Sequence, residues 1–129
     1  MKPLILCFLA VTSFVGLNSC KKDAVNGKIS INFINKTGAK IQNATADDIQ
    51  VGSITEDGQT GFIRFEKFGT DTGMPDCNLI GLFNNDTLKS TSSFYWCATQ
   101  KSQLKPGQYN IEIKLYTRGV NKYFALNFR

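Results

Sequence analysis

In residues 108–116 the apolar side chains of Tyr109, Ile111, Ile113 and Leu115 fall on every second position. That spacing places them all on one face of an extended strand, whereas a helix would scatter them around its circumference. The same period runs through residues 28–33, where Ile29, Ile31 and Phe33 alternate with Ser30 and Asn32. Residues 41–54 carry a weaker strand signal, interrupted around Ala46-Asp47-Asp48, and residues 61–68 carry aromatics at 62, 65 and 68. Short segments at 78–83, 93–99 and 122–128 bring the total to about seven strands. Between them, Lys36-Thr37-Gly38-Ala39, Glu56-Asp57-Gly58-Gln59 and Asn84-Asn85-Asp86 read as turns, and residues 69–76 as a loop. Sustained helical periodicity and internal repeats are both missing from the sequence. Short strands with no intervening helices predict an all-β protein, an antiparallel sandwich of about seven strands.

Ahead of these strands, residues 1–19 have the build of a secretory signal: a basic Lys2, an apolar stretch over 4–17 and a small Ser19. The stretch is about 14 residues, against the roughly 20 that a membrane-spanning helix needs, so removal is the expectation. Ser19 followed by Cys20 resembles the bacterial lipobox, in which the cysteine thiol is diacylated and the new amino terminus then acylated. Three acyl chains make such an anchor effectively permanent. The chain thus divides into a signal peptide over 1–19, a lipid-anchored tether over 20–27 and a β-sandwich domain over 28–129. About 100 residues suit one domain with one core.

Export also bears on the cysteines. Cys7 leaves with the signal and Cys20 carries lipid, so the domain keeps Cys77 and Cys97. An even pair in an exported chain points to a disulfide, which over this loop contributes roughly 3 kcal/mol in the chain-entropy account. Two thiols without any histidine fall short of a tetrahedral zinc shell, and no metal or other cofactor is expected. Loss of residues 1–19 removes only Lys2 of the 15 basic side chains, leaving a formal excess of four over the 10 acids. That mild, scattered charge at an envelope location argues against a nucleic-acid partner. The Lys21-Lys22 pair beside the anchor suits anionic head groups.

In Leu104-Lys105-Pro106-Gly107-Gln108-Tyr109, Pro-Gly suits a type II turn just before a strand. The segment resembles the tyrosine corner of immunoglobulin-like and fibronectin-like domains, with Tyr109 returning its hydroxyl to the backbone. Together with Ser19-Cys20-Lys21-Lys22-Asp23, the strand ending Asn35-Lys36-Thr37-Gly38 and the central Cys97 after aromatics, this resembles the small lipoproteins of Bacteroidota. The resemblance implies an immunoglobulin-like sandwich in the outer membrane and names no activity. Members displayed on the cell surface share an acidic run after the lipid cysteine. Lys21 and Lys22 depart from it, which favours the periplasmic side over the cell surface.

With zero histidines the chain cannot build Ser-His-Asp or Cys-His catalysis, nor a His-ligated catalytic zinc. Asp47, Asp48, Glu56, Asp57, Asp71 and Asp76 could supply a glycosidase-like carboxylate pair, but all fall in expected turns or loops, where acids are solvated. Asp71-Thr72-Gly73 to Asp76 lacks the ligand density of a calcium loop. No catalytic residue is expected. The aromatic run Phe94, Tyr95, Trp96 is the candidate binding surface, because a strand turns Phe94 and Trp96 to one face and Tyr95 to the other. The alternative is a central strand with Trp96 in the core. Asn35-Lys36-Thr37, Asn43-Ala44-Thr45 and Asn85-Asp86-Thr87 fit the N-glycosylation pattern, which in a bacterial envelope is mostly chance. Asp86-Thr87-Leu88 resembles the motif at which Bacteroidota attach O-glycans, making Thr87 the candidate acceptor. The expected function is a non-enzymatic binding or interaction module, held to the membrane through lipid on Cys20, for an unknown protein or glycan. An inhibitor or immunity protein for a periplasmic enzyme is the alternative, and a carboxylate-based hydrolase a distant third.

Overall fold

Strand β1 (Ile29–Asn35) is buried along its whole length, with paired strands on both edges, the core on one face and neighbouring side chains crowding the other. The computed structural model describes residues 28–91 and 100–129. In it, β4 (Gln59–Phe65) pairs antiparallel with one edge of β1, and β10 (Gly107–Arg118) pairs parallel with the other. β11 (Asn121–Phe128) returns along β10, giving a first sheet of order β11-β10-β1-β4. A second four-stranded sheet has the order β3 (Ile49–Ile54), β2 (Ile41–Ala46), β7 (Leu79–Phe83), β8 (Asp86–Lys89). A small third sheet joins β6 (Met74–Asp76), β5 (Gly69–Asp71) and β9 (Lys101–Gln103).

The two larger sheets pack as a sandwich because their alternate residues are apolar. From the first come Ile29, Ile31, Phe33, Phe65, Ile111, Ile113, Phe124 and Leu126, and from the second Ile41, Ala44, Ala46, Ile54, Leu79, Phe83 and Leu88. Each large member contributes about 1.5–3 kcal/mol by leaving water. Phe65 is the aromatic hinge of this core, edge-on to Phe33 at 6.2 Å and to Phe68 at 5.3 Å between ring centres.

Asn35, fully buried at the end of β1, closes one end of the sandwich with its amide. Its Nδ2 faces the carbonyls of Ala39 (2.8 Å), Ile54 (3.1 Å) and Thr55 (3.0 Å), which share its two protons. Its Oδ1 accepts from the Thr37 N–H (3.0 Å) and the Thr37 hydroxyl (2.7 Å). The Asn35-Lys36-Thr37 triplet is therefore a turn device, with its amide inaccessible to modification.

The sandwich expected from the sequence is present, with more strands and one different pairing. Eleven strands occur among the described residues rather than about seven. Residues 69–76 form a hairpin instead of a loop, turned by Thr72 and Gly73, both at positive φ. Pro75 is tolerated there because β6 lies on the edge of its sheet. The β1–β10 pair is parallel, so the first sheet is not purely antiparallel. It holds the first strand together with the last two, whereas a constant-type immunoglobulin sandwich separates them. The tyrosine corner is present: the Tyr109 hydroxyl donates to the Lys105 carbonyl at 3.0 Å. Its turn differs, since Gly107 does not take the positive φ of a type II turn and instead begins β10. The strand expected at 93–99 lies outside the described residues.

Candidate functional site

Among the described residues, Phe62 is the aromatic ring most open to water, at 49% exposure. Its direction is set by a bulge. Gly61 sits at φ 76°, and the β1–β4 register shifts between Asn32 and Ile34, the arrangement by which a bulge re-aims the next side chain. The bulge is held on both sides: Asn32 Oδ1 accepts the Gly61 N–H and Thr60 Oγ1 accepts the Phe33 N–H, each at 3.0 Å. Ile63 and Phe65 then face the core, and Phe62 faces outward opposite Asn32.

Around the ring the outer face is an amide platform. Asn32 Nδ2 donates to Gln59 Oε1 at 3.1 Å and to Asn110 Oδ1 at 3.0 Å. These bonds fix three planar amides across three strands. Beyond them, the Lys114 ammonium donates to Glu112 at 3.0 Å and holds that carboxyl below its usual range. The result is a polar surface, tied by hydrogen bonds between its own side chains, with one half-exposed aromatic ring on it. Such a surface can stack a sugar ring or pack a partner side chain without reorganising.

Cys77 follows β6 and is buried. Its carbonyl accepts the Ser90 hydroxyl at 2.6 Å, and Ser90 Oγ accepts the Leu79 N–H at 3.1 Å. On the far side of residues 92–99, Lys101 reaches Asp76 at 3.4 Å. Both flanks of that segment are thus tied beside Cys77. In its reduced form the Cys77 thiol is pushed well above its ordinary pKa, chiefly by burial and further by Asp47 and Asp76. A group in that state is a poor nucleophile at neutral pH.

Thr87 lies exposed on β8, the edge of the second sheet, directly after the Asn84-Asn85 turn. Both turn residues have positive φ, 48° and 69°, the two-residue hairpin geometry that asparagine favours. The structure therefore presents Thr87 to solvent, as the turn reading requires. Cys20, Phe94, Tyr95, Trp96 and Cys97 lie outside the described residues, so neither the expected lipid site and binding strand nor the expected Cys77–Cys97 pair is placed.

Of the candidate carboxylates, Asp47 and Asp76 line one cleft beside Cys77 together with Lys89 and Lys101, and the other four do not join them. Asp57 pairs with Lys36 at 3.0 Å, and Asp47 Oδ1 accepts the Asn78 N–H at 2.7 Å. Asp71 is buried rather than solvated, and its carboxylate accepts the Thr72 hydroxyl at 3.1 Å. No group of three or more metal-ligating side chains occurs among the described residues. Sequence reading missed the Phe62 platform. The glycine at 61, inside a strand that carries Phe62, Ile63 and Phe65, is the signal that marks it.

No family model and no curated protein matches the chain. A solved structure that it resembles is the NMR structure of a protein from Eubacterium rectale, with 14% identity and a TM-score of 0.47. The alignment covers 81% of this chain and 91% of that one.

Proposed function

We propose that the chain is a lipid-anchored, non-enzymatic binding module of the bacterial outer membrane, facing the periplasm, of the kind Bacteroidota make. Lipid on Cys20 holds it to the membrane, and a disulfide from Cys77 to Cys97 pins residues 92–99 to the sandwich. The tied flanks of that segment beside Cys77 support the pairing.

The observation that carries the binding function is the half-exposed Phe62 ring on a face already locked by its own amides. Leaving such a ring in water forgoes burial that a ligand can supply, and the locked amides cost no ordering entropy on contact. The ligand is a glycan or a protein surface that offers a ring or apolar group to Phe62 and hydrogen-bonding groups to its rim. The aromatics at 94–96 belong to the same module, as core or as a second contact. Thr87 is an O-glycan acceptor.

Affinity capture from solubilised envelopes on the lipidated protein is the test. Phe62→Ser should lose a partner that the parent retains, while loss of the half-buried ring costs about 1 kcal/mol and leaves the domain folded. Hydrolysis of peptidoglycan or another glycan by the purified protein, lost in Asp76→Asn with the fold intact, would overturn the reading.

A further inference from the structure

The β10–β11 hairpin does not end where its sheet ends. β1 leaves β10 after the Asn35↔Ile113 pair, yet β10 and β11 remain paired for five more rungs, from Lys114↔Ala125 to Arg118↔Asn121. A two-stranded ribbon is marginally stable in water by itself. Here a Ser90↔Phe124 bridge and half-buried Leu115 steady its base. Its tip is a two-residue turn, with Gly119 at φ 62° and Val120 95% exposed.

Three features of this tip coincide. The most exposed large apolar side chain described is at its apex. Tyr116 and Tyr123 stand opposite each other two rungs below the closing Arg118↔Asn121 pair. Lys114 and Arg129 pair with Glu112 at the base of the ribbon, so Arg118 and Lys122 are the charges at the tip itself, and the neighbouring β8 adds Lys89 against a single Asp86 across an open cleft of about 440 Å3.

We propose that the ribbon tip is a membrane-contacting finger for an anionic phospholipid surface. Val120 enters the apolar margin of the bilayer, Arg118 and Lys122 lie among the phosphates, and the tyrosines sit at head-group level. A hydrated anionic polysaccharide matches the charge but offers Val120 nothing apolar, so the lipid surface is the better fit. The tip lies about 36 Å along β10 from Gly107, which pairs with Ile29 at the start of the domain. Contact at both ends lays the long axis of the first sheet along the membrane. The inference stands apart from lipid on Cys20, because the tip would orient the domain whatever holds its other end.

The test replaces Val120 with a solvatochromic amino acid in protein isolated from cells, an exchange the exposed turn position tolerates. The protein is mixed with phosphatidylcholine vesicles with or without phosphatidylglycerol. Emission should shift to the blue only with phosphatidylglycerol, and the shift should vanish when Arg118→Glu and Lys122→Glu are added. A probe at exposed Gln42 should keep its emission in water throughout. An unshifted probe at 120 on both vesicles, a shift that survives charge reversal, or a shift produced by an anionic polysaccharide and not by vesicles would each overturn the proposal. Failure of the anchor is read separately, as lack of fatty-acid labelling at Cys20.

Discussion

Asn35→Ala removes the amide that ties the end of β1 to the end of β3. Of the three carbonyls it serves, that of Ile54 is reached through a wholly buried bond, while those of Ala39 and Thr55 are partly buried. Stranding one buried acceptor costs about 1–3 kcal/mol, and the lost bonds at the wetter carbonyls and at Thr37 add about 1 kcal/mol more. The expected loss is about 2–4 kcal/mol, a large share of the roughly 5–15 kcal/mol that holds a small domain together. In urea unfolding with a slope near 2 kcal/mol per molar, the midpoint falls by about 1–2 M. Asn35→Asp separates the donor role from mere volume. It keeps the acceptor for Thr37 but points a carboxylate at three carbonyl oxygens, so its folded pKa is raised above the unfolded value of about 3.9. The resulting penalty is full above the folded pKa and shrinks as pH falls through it, when a proton restores one donor. At neutral pH the Asp variant should be less stable than the Ala variant, and acid should narrow that gap. A loss under about 1 kcal/mol for Ala, or an Asp variant as stable as Ala at neutral pH, refutes the reasoning.

Cys20→Ser should abolish labelling by a fatty-acid analogue and change membrane retention; continued labelling would rule the site out. Non-reducing mass spectrometry of a digest should find the Cys77 and Cys97 peptides linked, and Cys77→Ser should lower the melting temperature; two free thiols in protein taken straight from the envelope would contradict the pairing. Tyr109→Phe deletes the bond to the Lys105 carbonyl and should cost about 0.5–1.5 kcal/mol by denaturant unfolding, with no effect on retention at the membrane.

How much the sequence disclosed depended on strand length. β1, β10 and β11 are long enough for alternation to declare both the strand and its buried face, and Ile29, Ile31, Phe33, Ile111 and Ile113 do lie in the core. β5, β6 and β9 have three residues each, and β8 has four with one apolar member, too few for a period to emerge from turn-like composition. The hairpin turn at Asn84-Asn85 was legible because asparagine tolerates positive φ, and Tyr109 was legible because a tyrosine after Pro-Gly has a known use. Pairing direction leaves no trace in alternation, so the parallel β1–β10 contact could not be read. The outward turn of Phe62 was hidden because it depends on Asn32, a residue 29 positions from Gly61, whose N–H it accepts. Asp71 looked solvated in a loop and is buried because that loop is a paired hairpin.

The parallel joining of β1 to β10 governs the order in which the molecule can come into being. Asn32 and Asn110, hydrogen-bonded across those strands, are 78 positions apart, so the central strand has no partner on that edge until most of the chain is present. A chain that emerges from its N-terminus, from a ribosome or through an export channel, therefore holds β1 with an open flank until β10 arrives. Closing so distant a pair is entropically slow, which puts sandwiches of this kind in the millisecond-to-second range. A sequence that delays its own folding in this way commits to its final shape only when its last quarter is present.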